Sequence, residues 1–281
     1  MDYLGGAAIM QQNNNIPVFI SFSMLKGGVG KTDLAYNYMM WLASQKSHKV
    51  LGIDLDENCN FSQVLNVYDQ QDTVANILSG EGDVKLHHIN ENVDLIAGYN
   101  RLGQLQEDLA TSEKKTMMLY MWLEDNFERY NIGQYDFVII DTHNDLGTAT
   151  KNAVAVSDVI FSPIVPNEFS DSISMEVKLD EFRNDVIDFR TRESYITADL
   201  KLIGNMIRHN TKNSHQFLEH MKGNNDYIAK FQFREIFNTS IQTKTPICDL
   251  LSEPKSQGEK NFKKDFNENM EQLYKVSQQY Q

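Results

Sequence analysis

Short apolar runs that end in polar or acidic residues alternate along the chain with longer stretches whose apolar residues recur at helical spacing. Residues 17–24, 49–54, 135–142, 158–166 and 200–207 read as buried strands, the third through Phe137, Val138, Ile139 and Ile140 before Asp141. Residues 32–45 read as a helix with Leu34, Tyr38 and Leu42 on one face. Two further helices are predicted: 116–130, carrying Met117, Met118, Met121, Trp122 and Phe127, and 172–189, carrying Ile173, Val177, Leu179, Phe182, Val186 and Phe189. Such stripes are core packing. The alternation predicts an α/β fold, a doubly wound, mostly parallel sheet flanked by helices, as one domain over residues 16–281 with a C-terminal helix. Residues 1–15, with Gly5, Gly6 and a Gln/Asn run, read as a flexible lead-in.

Composition narrows the picture without changing it. The 281 residues can bury one large α/β core or two small ones, and 41% hydrophobic content excludes a disordered chain. No apolar stretch of about 18 residues predicts a membrane span, and the first residues lack a secretory pattern. Two cysteines, Cys59 and Cys248, give no disulfide framework and fit a reducing cytoplasm. A net charge of −13 argues against a uniformly basic nucleic-acid binder, so any DNA contact needs a local stripe. His87 and His88 are adjacent, point apart and have no partner at ligand spacing, so they read as solvated.

The chemistry starts at Lys26-Gly27-Gly28-Val29-Gly30-Lys31-Thr32, between the first strand and the first helix. This is a phosphate-binding loop, in which successive backbone N–H groups and a helix N-terminus face nucleotide phosphates. Lys31 is placed for the β- and γ-phosphates and the Thr32 hydroxyl for Mg2+; Gly27, Gly28, Val29, Gly30 and Asp33 complete the nucleotide-contacting set. Lys26 is an additional cation at the loop's mouth, either solvated or supplying charge to a nucleotide. Asp54 and Asp56 follow the second strand, and Asp141 ends the third, at the strand ends where ligands gather in open parallel sheets. Asp141 is the expected Mg2+ carboxylate, with Asp54 bracing the loop beside the metal.

The loop K-G-G-V-G-K-T resembles the deviant Walker A motif of the ParA/MinD family of ATPases, SIMIBI-type P-loop NTPases. Asp54-Leu55-Asp56-Glu57-Asn58 resembles the family's D-x-D-P-Q, with its last two residues replaced, and 158–166 resembles its D-x-V-L-I-P-x-x-P. The resemblance covers about residues 16–207. It implies ATP hydrolysis with ATP and Mg2+, slow and partner-stimulated. Lys26 would reach the partner's phosphates in a nucleotide-sandwich homodimer, Asp56 would activate the attacking water, and Asn205 would contact adenine. The family's D-T-P-P-x-L-G stands here as Asp141-Thr142-His143-Asn144-Asp145-Leu146-Gly147, so both prolines are gone. His143 reads as an ordinary solvent-facing histidine, with a hydrogen-bonding group behind the site residues as the alternative, and it is assigned no catalysis.

The resemblance, most specific to ParA-type plasmid partition ATPases, further implies non-specific DNA binding, a centromere-binding adaptor and a nucleoid-associated cytoplasmic location. Candidate DNA contacts are Arg208, Lys212, Lys255, Lys260, Lys263 and Lys264. Only about 15 residues precede the strand that leads into the loop, so autorepression through an N-terminal DNA-reading domain is not expected. The alternative is a MinD-like ATPase that positions cargo on a membrane or other surface. Phe262, Phe266, Leu273 and Val276 lie near helical spacing, but Asn267, Glu268 and Asn269 dilute the stripe, which favours packing on the domain. An iron–sulfur relative would need cysteines where Thr142-His143-Asn144 stand. A tyrosine kinase of related fold would carry a tyrosine-dense tail, and this tail has Tyr274 and Tyr280.

Overall fold

The computed structural model describes residues 15–281 apart from 110, 113, 167–170 and 189. Nearly all of the expected lead-in, and Phe189, lie outside the described residues. The strands are β1 (Val18–Phe22), β2 (Val50–Leu55), β3 (Leu86–Asn90), β4 (Val93–Ile96), β5 (Phe137–Thr142), β6 (Val159–Ile164), β7 (Asp199–Ile207) and β8 (Tyr227–Gln232). They form one eight-stranded sheet in the order β3-β4-β2-β5-β1-β6-β7-β8. Every neighbouring pair is parallel except β3 with β4.

The helices are α1 (Lys31–Gln45), α2 (Asn60–Val64), α3 (Val74–Ser79), α4 (Leu102–Asp108), α5 (Met118–Asn126) and α6 (Thr148–Val156). They continue as α7 (Asp171–Asp185), α8 (Lys212–Lys222), α9 (Glu235–Thr243), α10 (Ile247–Leu250) and α11 (Gln257–Ser277). Strand alternation sends side chains to both faces, and each face has its own helix layer. Val18, Ile20 and Phe22 of β1, with Phe137 and Ile139 of β5, pack under Leu34, Tyr38 and Leu42 of α1 and under α11. Phe19, Val138 and Ile140 pack on the opposite face with α3, α5 and α6. Further along that face, Ile160 and Leu202 meet Met175, Leu179 and Phe182 of α7.

Several expectations shift in detail. The helix expected at 116–130 runs only over Met118–Asn126, while Trp122 and Phe127 are core residues as expected. On α7, Ile173 and Val177 are exposed rather than core. Phe262, Phe266 and Leu273 of α11 are buried against the sheet, and Val276 packs beside them. The stripe that a membrane-surface helix would use is therefore spent on the core. Among the described residues, no helix is long and apolar enough to cross a membrane. His87 and His88 on β3 face different carboxylates, Asp69 at 3.4 Å and Asp94 at 3.0 Å. His87 is not solvated: its side chain is largely covered, and burial holds its pKa below the usual histidine value.

Candidate nucleotide site

Sheet register assembles the site before any side chain is considered. The parallel pairs β1–β5 and β2–β5 place Phe22 beside Asp141 and Asp141 beside Asp54, so the phosphate loop and both acids share one carboxyl edge. The chain then turns from β1 into α1 through Gly28 at φ +74° and Gly30 at φ +85°. Both angles lie in the left-handed region, where glycine alone is unstrained. Gly30 is the N-cap of α1, so the first amides of the helix are directed into the loop.

A cavity of about 470 Å³ is lined by Gly27, Lys31, Thr32, Asp33, Asp56 and His143, among others. The Lys31 ammonium donates to the Lys26 carbonyl at 3.2 Å. Burial lowers the pKa of Lys31, while the charges of Asp141, Asp56 and Asp145 act to raise it. The Thr32 hydroxyl donates to Asp141 Oδ2 at 2.6 Å. Asp141 is fully buried; desolvation first, and then the charge of Asp54, push its carboxyl well above the ordinary range.

These two residues fit Mg2+. Asp141 Oδ1 is buried with no hydrogen-bond partner among the described residues, next to an oxygen donor from Thr32. A hard cation takes oxygen ligands and keeps several waters, needing few protein groups when phosphates supply the rest. Accordingly, no cluster of three or more His, Cys, Asp or Glu suited to a metal occurs among the described residues.

Asp54 is placed as a brace rather than as a ligand. Its Oδ1 accepts from the Asp56 N–H at 3.1 Å, and its Oδ2 accepts from the Ser62 N–H at 2.8 Å and hydroxyl at 2.7 Å. Burial still pushes its pKa up to about 6 against these bonds. Asp56 reaches the cavity, and its Oδ1 accepts from the Asn58 N–H and Asn58 Nδ2, each at 2.9 Å. His143 Nδ1 lies 2.9 Å from the same oxygen. His143 is thus not an ordinary solvent-facing histidine, and its contact spans 87 residues of sequence.

The adenine-side expectations change most. Asn205 is buried and its Nδ2 donates to the Val29 carbonyl at 2.8 Å, so its amide donor braces the phosphate loop. Arg208 lines a second cavity of about 420 Å³ beside Gly27 and Gly28, with its guanidinium 4.2 Å from the Phe233 ring centroid. Arg208 is thus exposed and beside the phosphate loop at once. Lys212 opens α8 and is exposed. Lys255, Lys260 and Lys264 are exposed around the start of α11, while Lys263 donates to the Ser252 carbonyl at 3.1 Å. Arg234, which sequence reasoning missed, lies near them with its guanidinium 5.8 Å from the Phe262 ring. Lys26 is exposed at the loop's mouth.

A glycine loop capping a helix, a threonine–aspartate pair beneath it and an aspartate across the cavity define a P-loop nucleotide-binding protein. The profile of a family described as an AAA domain matches residues 18–179. An uncharacterised protein of Methanocaldococcus jannaschii is 30% identical over 207 residues, covering 70% of this chain and 75% of that protein. A virulence plasmid ParA family protein of Chlamydia psittaci is 32% identical over 155 residues. There the match covers 54% of this chain, which spans little more than half, 58%, of the relative's length. A Borrelia burgdorferi B31 structure described as a plasmid partition protein bound to AMPPNP superposes with a TM-score of 0.72 at 22% identity. That superposition covers 92% of this chain and 99% of the other, and shows a shared fold. The chain belongs to the AAA-domain family and, within it, to the ParA/MinD group of P-loop ATPases.

Proposed function

We propose that the chain is a ParA-type ATPase that hydrolyses Mg-ATP to ADP and phosphate as a face-to-face dimer. In this reading the ATP-bound dimer holds DNA without sequence preference, and a centromere-binding adaptor triggers slow hydrolysis that releases it in the cytoplasm, on the nucleoid. The observation that carries the reading is the convergence of Lys31, the Thr32–Asp141 pair at 2.6 Å and Asp56 on one cavity. The relatives named above lend it partition and a bound ATP analogue.

Each residue then has a task. The loop amides and Lys31 hold the phosphates, with Asn205 bracing the loop backbone and Asp54 bracing the turn that carries Asp56. Thr32 and Asp141 would hold Mg2+, which supplies charge neutralisation at the β- and γ-phosphate oxygens. Asp56 orients the water whose oxygen bonds to the γ-phosphorus as the bridging oxygen departs with ADP. Lys26, exposed at the mouth, serves the nucleotide of the facing subunit. Exposed Lys212, Lys255, Lys260 and Lys264 offer phosphate contacts for DNA, which need charge more than shape.

The test measures ATPase rate and oligomeric state together for the wild type, Lys26→Ala and Asp56→Ala. Asp56→Ala is expected to accumulate an ATP-bound dimer, and Lys26→Ala to bind nucleotide without the dimer-dependent rate. A monomeric Lys26→Ala that hydrolyses ATP at the wild-type rate refutes the sandwich mechanism. Salt titration of binding to unrelated duplexes with ATP, ADP and no nucleotide tests the DNA half; equal weak binding in all three refutes it.

A further inference from the structure

The segment between β5 and α6 touches the cavity from two sides. His143 Nδ1 contacts Asp56 Oδ1 at 2.9 Å, and Asn144 lies over the phosphate loop, its Nδ2 2.9 Å from where a Cβ on Gly27 would stand. Both side chains line the cavity that holds Lys31 and Thr32. They occupy the two positions that carry proline in the family pattern, and proline offers no side-chain hydrogen bond to either neighbour.

We infer that His143 is a positioning residue for Asp56, a role that rests on the ATPase reading above. Asp56 Oδ1 takes three contacts: the Asn58 N–H, Asn58 Nδ2 and His143 Nδ1. With a carboxylate oxygen as acceptor, Nδ1 carries the hydrogen and Nε2 is the basic nitrogen. The two Asn58 bonds come from a single residue two positions along the chain and move with the Asp56 turn itself. The His143 bond comes from another strand's loop, 87 residues away, and fixes the carboxylate against the body of the sheet. β5 ends at Thr142, whose hydroxyl donates to the Phe22 carbonyl at 3.0 Å, so His143 projects from a tethered strand end rather than from a free loop.

The consequence is a division of labour between binding and turnover. His143 touches neither Lys31 nor Thr32 in any hydrogen bond among the described residues, so its loss leaves the phosphate cradle intact. What it controls is the direction of the Asp56 carboxylate, and therefore of the water Asp56 aligns. A residue that acts only on this alignment changes kcat and leaves nucleotide affinity alone.

The experiment uses steady-state ATPase kinetics and binding of a non-hydrolysable ATP analogue on the full chain. His143→Ala is expected to lower kcat about tenfold, the scale of a lost hydrogen bond to a charged group, with KM and analogue affinity within about twofold of wild type. Asparagine places its amide nitrogen close to where histidine carries Nδ1, whereas glutamine places it further out. His143→Asn is therefore expected to recover most of the rate and His143→Gln to resemble His143→Ala. Equal thermal midpoints for the three variants verify that each folds. Wild-type kcat in His143→Ala, or a drop in analogue affinity matching the drop in kcat, overturns the positioning role while leaving the ATPase reading in place. Failure of Asn to rescue overturns it as well. A wild-type chain without ATPase activity removes the functional reading and this inference together.

Discussion

Replacing Gly30 with alanine separates the conformational demand of the phosphate loop from its steric demand. At φ +85°, any side chain with a Cβ costs about 1–2 kcal/mol. The new Cβ would also stand 2.5 Å from Asn205 Nδ2, the atom that donates to the Val29 carbonyl at 2.8 Å. The amide must move, and a buried carbonyl then loses its partner at about 1–3 kcal/mol. Gly28 is the control: its φ is +74°, but nothing lies within 4 Å of a Cβ there, so alanine should cost only the conformational part.

Gly30→Ala is therefore expected to destabilise the protein by about 1–3 kcal/mol more than Gly28→Ala, read from urea midpoints without nucleotide. In an Asn205→Ala background the amide is already gone. The cost of Gly30→Ala should then fall to that of Gly28→Ala, a coupling that a double-mutant cycle measures directly. Equal costs for the two glycines in the wild-type background, or an unchanged Gly30→Ala cost without Asn205, would refute the contact between Asn205 and the loop.

Burial pushes Asp158 up to about 6 even though its Oδ2 accepts from the Phe19 N–H at 2.8 Å. A carboxyl whose pKa is higher folded than unfolded binds extra protons in the native state. Its penalty is thus absent below about 4, grows as pH rises towards 6 and is complete above it. Asp158→Asn keeps an acceptor for Phe19 and should add about 2 kcal/mol of stability at pH 8 and little at pH 4 in chemical denaturation; the opposite trend would reject it. Asp33 lines the phosphate cavity, no hydrogen bond reaches its carboxylate among the described residues, and burial pushes it up to about 6. Asp33→Asn should tighten ATP-analogue binding about tenfold at pH 8 by removing a like charge beside the phosphates, and unchanged affinity by calorimetry would contradict this. Paired Lys260→Glu and Lys264→Glu should weaken binding to all duplexes and flatten its salt dependence. Arg208→Ala, beside the loop, should change nucleotide affinity instead, and a reversed pattern would show that the two groups of cations were misassigned.

The catalytic edge was legible because parallel strands buried on both faces appear as continuous apolar runs. The Asp141 run is one, and the polar residues after such runs fall at one edge. The sheet's margins were not legible. β3 reads Leu-His-His-Ile-Asn and is half exposed, and β4 has only four residues, so neither shows a buried run. β8 alternates buried Ala229 and Phe231 with exposed Lys230 and Gln232, a period too short to stand out. Within the site, the roles that residue type left open depend on contacts distant in sequence. His143 meets Asp56 across 87 residues, and Asn205 meets Val29 across 176. Residue type told what each side chain could do, but only the sheet register decided which partner it met.

That register also explains why the site is built from braced acids. Asp54, Asp56 and Asp141 stand together at the strand ends against one buried ammonium, Lys31. Without further cations such a cluster resists ionisation, and the upward shifts at Asp54 and Asp141 are its signature. Hydrogen bonds from Ser62, the Asp56 backbone and Thr32 offset part of that cost and fix each carboxylate's direction. Mg2+ would bring positive charge beside Asp141 Oδ1, which lacks a hydrogen-bond partner among the described residues, and so would offset part of that cost. In the proposed dimer, Lys26 of a facing subunit would add one more cation for phosphates that the crowded acids cannot help to neutralise.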